Sequence, residues 1–339
     1  MQKKLIVLAI AAMASTSAFA DVNVYGIVDA AIANTTKTGK KTDLTVISGG
    51  LSTSRLGVKA VEDLEGGLKV IGVLEYRLDI ANNTTVGMTS AGAQSARQQM
   101  VALAGGFGTV AAGYLQTTGY DFAVKFDPTA GSAVDTAAAV NVSTLIQTSG
   151  RAAHAAAYIS PNLGGVTIAV NRSFDVGNTG AVADTATTVA LNKTTANLIS
   201  VTYDAGPLSV GGVYAATGND GDNYAKVADM AFGASYDLTV AKLFLSYTKT
   251  TTDGALGSDT ALAFHAVAPV TASGTVVFTY GKNDIASTAA SDNTSGFTVA
   301  YLEGLSKTTT AYGAFQKLSK DGTTTTDTNV LAFGLRKKF

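Results

Sequence analysis

Side chains able to do covalent chemistry are scarce in this sequence, and charged ones carry what chemistry it offers. Cysteine is absent, and His154 and His265 are the only two histidines. Neither has the carboxylate or nucleophile spacing of a triad or the ligand spacing of a metal site, so the chain reads as a non-enzyme that calls for no cofactor. What remains is electrostatic. Over 68–80, LKVIGVLEYRLDI, strict alternation puts Lys69, Glu75, Arg77 and Asp79 on one face and Val70, Gly72, Leu74, Tyr76 and Leu78 on the other. Alternation likewise sets Arg55 and Lys59 opposite Leu56, Val58 and Ala60. Glu75 is the acidic partner on that polar face, and it or Asp79 is placed to neutralise Arg77. Guanidinium groups sharing one wet face attract anions. At ~6 Å in watery surroundings one contributes about 0.7 kcal/mol and three about 2 kcal/mol, enough to bias an ion's passage without trapping it.

Such faces need strands to hold them, and the sequence supplies strands throughout. Period-2 segments run over 22–34, 51–62, 68–80, 95–104, 109–115, 151–160, 166–174, 196–203, 208–216, 226–236, 242–250, 260–267, 275–282, 296–303, 308–318 and 328–339. They number about sixteen, each near the ~9 to 11 residues that a tilted strand needs to cross a bilayer. Short glycine- or proline-bearing turns alternate with longer polar loops, among them 35–48, 177–194 and 218–224. One end of the sheet should therefore carry turns and the other loops, as in transmembrane barrels. The stretch 116–150 is the longest without a period-2 run, and loops of that length in a compact domain are usually functional. It is expected to fold into the bore. Tyr25, Tyr76, Tyr158, Tyr203, Phe232, Tyr247, Tyr280, Phe297, Tyr301, Tyr312 and Phe333 sit where aromatic girdles would form.

Composition agrees with a barrel and excludes other classes. Lys3 and Lys4 precede an apolar run that ends at Ala18-Phe19-Ala20, so 1–20 reads as a secretory signal and 21–339 as the mature barrel. No later apolar run is long enough for a membrane helix. Only 14% of residues are charged, yet mean hydropathy is positive at +0.23. An average over lipid-facing and lumen-facing positions gives that combination. Thirty-six glycines argue against a helical protein, since each inside a helix costs about 1 kcal/mol relative to alanine. The formal charge of −1 falls by two without Lys3 and Lys4, so nothing points to nucleic acid.

The ordered motifs carry a resemblance. They are Tyr25-Gly26-x-Val28-Asp29, Ser54-Arg55-Leu56-Gly57-x-Lys59 with Glu62-Asp63-Leu64 and Gly66-Gly67-Leu68, Leu74-Glu75, Gly105-x-Phe107-Gly108, Tyr158-x-Ser160-Pro161, Gly206-Pro207, Leu305-Ser306-Lys307-Thr308-x-x-x-Tyr312 and Gly334-Leu335-Arg336-x-x-Phe339. In this order they resemble the general diffusion porins of Gram-negative β-proteobacteria, over 21–339. The resemblance implies an all-β fold: a sixteen-stranded antiparallel transmembrane barrel whose third long loop folds inward to form the narrowest point. It further implies an outer-membrane homotrimer set in lipid, passing small hydrophilic solutes and inorganic ions, with Phe339 read by the outer-membrane assembly machinery. Arg97 and Arg151 match positions of the family's basic constriction cluster, joining Arg55 and Arg77. Tyr120-Asp121 and Asp127-Pro128 match its loop, which offers Asp121 and Asp127 as acidic partners, with Lys125 and Asp135 nearby; Asp127 before proline also fits a turn start. Two departures stand out: Lys337 replaces the usual histidine or aromatic, and 130–140 is alanine-rich. A basic wall facing a sparsely acidic loop implies weak to moderate anion selectivity. The competing readings are a channel specific for a sugar or organic anion, and a non-conducting surface adhesin.

Overall fold

The computed structural model describes residues 20–82, 84–88, 92, 95–141, 150–175, 194–219, 226–287, 293–322 and 325–339. The expected signal at 1–20, apart from Ala20, and most of the loops expected at 177–194 and 218–224 lie outside the described residues. Among the described residues seventeen strand segments follow one another: β1 (Ala20–Lys37), β2 (Asp43–Ser48), β3 (Arg55–Asp63), β4 (Lys69–Arg77), β5 (Ala96–Gly105), β6 (Gly108–Gln116), β7 (Arg151–Ile159), β8 (Val166–Ser173) and β9 (Thr194–Ala205). Then come β10 (Leu208–Asn219), β11 (Val227–Asp237), β12 (Lys242–Thr252), β13 (Ser258–Pro269), β14 (Gly274–Asp284), β15 (Asn293–Ser306), β16 (Thr309–Asp321) and β17 (Thr326–Lys338). Every pairing is antiparallel between neighbours, and β17 returns to β1 from Ile27↔Lys338 to Lys37↔Thr328. The sheet thus has no free edge, the condition for backbone to sit in hydrocarbon.

β2 and β3 together make one wall, so the barrel has sixteen. β1 pairs with β2 over Ala30↔Ser48 to Thr35↔Asp43 and with β3 over Ala20↔Glu62 to Ile27↔Arg55. This corrects two sequence expectations. A strand occupies 43–48, inside the expected loop 35–48, and the expected strand 51–62 starts only at Arg55. The cause is a break at 49–54, where the chain leaves the ladder and side chains satisfy its amides. The Asp29 carboxylate, fully buried, accepts from Leu51 N at 3.0 Å, Ser52 N at 2.7 Å and the Tyr312 hydroxyl at 2.5 Å. Ser54 Oγ donates to the Asp29 carbonyl at 3.1 Å, and Arg336 donates to Ser52 Oγ at 3.0 Å. Residues from four separate motifs, Asp29, Ser54, Tyr312 and Arg336, therefore converge on one structural task.

Outward positions are large and apolar: Ile32, Leu74, Val101, Phe232, Leu245 and Phe333 are all exposed. Inward positions are polar or small, as with Ser235, Ser246, Thr248, Thr279 and Thr298. Tyr25 and Tyr312 do not join the girdle expected of them. Both share inward parity with Asp29-bearing rows, and Tyr312 is buried with its hydroxyl on Asp29.

The long third connection lies against this inward face. Thr117 caps helix α1 (Thr118–Phe126), accepting from Tyr120 N at 3.2 Å, and Asp135 caps the single turn α2 (Thr136–Ala139), accepting from Ala138 N at 2.7 Å. α1 packs on β8 to β12 and α2 on β13 to β16. Phe122 and Phe126, one turn apart with ring centroids 4.9 Å from each other, bury against Val213 and Ala231. Gly233 lies directly beneath the Phe126 ring, and Gly281 beneath Val140, so a side chain at either would occupy the space the loop needs. The alanine-rich stretch has its reason here: Ala137 and Val140 pack on Ala261 and Ala263, and Val134 on Val277, Ala300 and Ala314. Polar pins complete the seat. Thr298 Oγ1 donates to Val134 O at 2.7 Å, Gln316 Nε2 to Thr136 Oγ1 at 3.2 Å, and Ala133 N reaches across to Gly50 O at 3.0 Å.

Gly233→Val should unseat α1, because overpacking a filled interface costs about 1 to 3 kcal/mol. Single-channel records of that variant should show a broader spread of conductance and more partial closures, with β content by circular dichroism unchanged. Records indistinguishable from the unsubstituted protein would show that Phe126 does not seat the loop.

Candidate functional site

Because the loop covers β8 to β16, the open part of the lumen is bounded on one side by the loop and on the other by β3 to β7. That uncovered wall is where the arginines stand. Arg55 on β3 is the register partner of Arg77 on β4, an arrangement of like charges that disfavours the sheet by itself. Glu75, two residues earlier and on the same face, offsets part of it. Its Oε1 accepts from Arg97 Nε at 2.5 Å and lies 3.9 Å from Arg55 Nη1. Arg97 reaches it through an irregularity. The β4–β5 register shifts between Glu75↔Gln98 and Tyr76↔Ala96, leaving Arg97 as the extra residue of a bulge that aims it inward. Both Arg97 and Glu75 are buried, so the pair is held in one geometry.

Arg151 begins β7 beyond a second irregularity, between Gly113↔Ala155 and Leu115↔Ala152. Its guanidinium lies 4.9 Å from the Tyr120 ring centroid, a cation–π arrangement, and it donates to Gln116 Oε1 at 3.5 Å. Among the described residues it has no carboxylate within ion-pair distance, and its Nε has no hydrogen-bond partner. Arg77, Arg97 and Arg151 line one recess of about 550 Å³ with Thr53, Ser95, Tyr120 and Asp135. Asp79, which could have neutralised Arg77, instead caps its own turn. It accepts from Ala81 N and Asn82 N, both at 3.2 Å, and from Asn82 Nδ2 at 2.9 Å.

The acidic residues of the loop divide differently from the sequence expectation. Asp121, on α1, accepts from Gln116 Nε2 at 2.5 Å, the same side chain whose Oε1 accepts from Arg151. Asp127 turns away from it. Its Oδ1 accepts from Thr129 N at 2.8 Å and Thr129 Oγ1 at 2.7 Å, and lies 3.6 Å from His265 Nδ1. The seating of Phe126 next to it directs Asp127 into the wall, so it starts the turn and anchors the loop instead of facing the pore. Asp135, also buried, lines the recess from the loop side. Burial, and then the neighbouring Asp127 carboxylate, hold the Asp135 carboxyl well above its usual range. His265 is completely buried, donating or accepting at Thr279 Oγ1 at 3.0 Å, and offers no reactive edge to the lumen. Gln116 and Ser95 are site residues that the sequence does not single out, and Tyr120 stands out there only as part of a loop motif. At the chain end, Phe339 continues the closing ladder, its N and O exchanging hydrogen bonds with Gly26 at 3.1 and 3.0 Å.

Comparison with known proteins agrees with this architecture. The family described as Gram-negative porin matches residues 7–323. Outer membrane porin protein 32 of Delftia acidovorans is 32% identical, across 96% of this chain and 92% of that protein. Major outer membrane protein P.IB of Neisseria lactamica is 38% identical over a shorter region, 34% of each chain. Among solved structures, an anion-selective porin from Comamonas acidovorans aligns with TM-score 0.76 and 25% identity, covering 94% of this chain and all of that one at 100%. The trimer form of OmpT from Vibrio cholerae shares the fold at TM-score 0.67 and 14% identity, over 94% and 99% of the two chains.

The protonation of Asp135 makes loop docking depend on pH. A carboxyl whose value is raised in the docked state holds its proton more tightly there, so docking is strongest in acid and weakens as pH rises through that raised value. Open-channel noise should increase from acid to alkaline pH, and Asp135→Asn should flatten that dependence. An equal pH dependence in the Asn variant would assign the effect elsewhere.

Proposed function

The chain belongs to the Gram-negative porin family and is a diffusion channel of the outer membrane; from that premise we propose that its constriction is the Arg55, Arg97 and Arg151 cluster and that it favours anions. The observation that carries this reading is the charge count at the uncovered wall: three guanidinium groups meet only one carboxylate, Glu75, within ion-pair distance among the described residues. At ~6 Å in water, three cations less one anion leave about 1.4 kcal/mol for a passing anion, roughly tenfold in occupancy. Salt screens part of it. The solved structure described as an anion-selective porin, which covers 94% of this chain at 25% identity, supports the same sign.

Arg77 is read as an outer member of the cluster, and Asp121 as a loop carboxylate that tempers it through Gln116. Neither histidine has a place in a reaction, so the reading includes no catalytic step. The chain is further read as a homotrimer, as in the trimer form of the related OmpT fold. Lipid would meet its apolar outer face, and Phe339 would serve as the assembly signal. We infer that residues 1–20 are removed on export. Intact mass of the protein extracted from outer membranes should match a chain starting at Asp21; a mass retaining 1–20 would refute it.

Reversal potentials in planar bilayers under a potassium chloride gradient should show chloride favoured several-fold to about tenfold. Arg151→Ser removes a cation without leaving a carboxylate unpaired, and should lower that ratio about threefold. A preference for potassium in the unsubstituted protein would overturn the assignment.

A further inference from the structure

The lumen between the constriction and the short-turn end departs from the polar lining that barrel interiors usually have. Ile71, Val73, Met100, Ala111, Leu115 and Ile159 line one recess of about 580 Å³ there, on β4 to β7. The register makes this surface continuous: Val73 pairs with Met100, and Ile71, Ala102, Ala111 and Ala157 form one row across the four strands. Within it Leu115 packs with Ala152 and Ala155, and Met100 and Ala111 lie against them. Ile71, Met100 and Ala111 keep part of their surface open and Ile159 is exposed, so this part of the apolar wall meets the water path, while Val73 and Leu115 are buried within it.

Charge at the rim is asymmetric. Lys59 and Tyr25 stand on one edge, and Tyr25 lies against Glu75, the residue gripped by Arg97 and Arg55. Asp121 stands on another edge with its carboxylate already bonded to Gln116. The volume falls within the range of about 300 to 1,000 Å³ typical of small-molecule sites, which combine an apolar wall with a few fixed polar groups.

We propose that this recess is a subsite for small organic monoanions with an apolar body, a carboxylate carrying a short alkyl or aromatic tail. Lys59 and the arginine field hold the carboxylate, and the β4 to β7 wall takes the tail. The proposal rests on the anion-channel reading and names a solute class for it. An inorganic anion would engage only the rim. A sugar would leave its hydroxyls against Ile71, Val73 and Met100 without partners, a loss for a polar solute.

Chloride current through the purified protein in planar bilayers, titrated with sodium acetate, butyrate and hexanoate, tests this. A methylene lying with one side on the wall should strengthen block about twofold, so hexanoate should act at roughly one-sixteenth the concentration of acetate. Hexylammonium at the same concentration should not block. The double variant Ile71→Thr, Met100→Gln should lose most of the chain-length dependence. Block independent of chain length in the unsubstituted protein would overturn the proposal, as would equal block by hexylammonium or an undiminished dependence in the variant. The potassium chloride reversal potential is read in the same bilayers, so a failure of anion selectivity is distinguished from a failure of the subsite.

Discussion

The pairing of the last strand with the first is the interaction on which the rest depends. Hydrocarbon offers no hydrogen bonds, and each backbone group left unpaired there costs several kcal/mol. The β1–β17 ladder removes the last free edge. Once the sheet is closed, side-chain alternation has one meaning around the whole circumference: one face meets lipid and the other water. Leu74 and Glu75, adjacent in sequence, therefore point to opposite sides, one toward lipid and the other toward the arginines of the lumen.

Within that frame the loop sets the channel by what it covers. Its apolar face, from Phe122 and Phe126 through Val134, Ala137 and Val140, makes a dry seat on β10, β11 and β13 to β16. Two wall glycines leave room for it. The wall left open is the one with excess positive charge, and the loop's most buried acid, Asp127, is spent on the seat. On the reading proposed above, anion preference comes from hiding a carboxylate as well as from displaying arginines. The break at 49–54 belongs to the same design, because it presents Gly50 O to Ala133 N and ties the loop across the bore.

Alternation and turn spacing made most of the walls legible in the sequence, along with the facial pairing of Arg55 with Lys59 and of Glu75 with Arg77. What they could not show was anything decided by distant partners. β2 is six residues with Leu44 and Val46 on one face, and it forms because β1 extends far enough to pair with it. The inward aim of Arg97 comes from a bulge that local periodicity hides. The burial of Asp127 follows from the phase of α1 and from His265 on β13, neither visible from the Asp-Pro dipeptide. Tyr25 was different: its parity with Asn23, Ile27 and Asp29 already pointed inward. Motif residues such as Asp29 and Tyr312 could be recognised in order, but their shared task at the wall break became apparent only in three dimensions.

Thiol accessibility tests the central claim most directly, since the natural chain has no cysteine and any introduced one is unique. Lys59→Cys places a thiol on the lumen face, and Leu74→Cys places one on the lipid face. In planar bilayers, a charged membrane-impermeant methanethiosulfonate reagent should lower the conductance of the Lys59→Cys protein in discrete steps and leave that of Leu74→Cys unchanged. Steps at both positions, or at Leu74→Cys alone, would contradict a closed sheet with water on one face and lipid on the other.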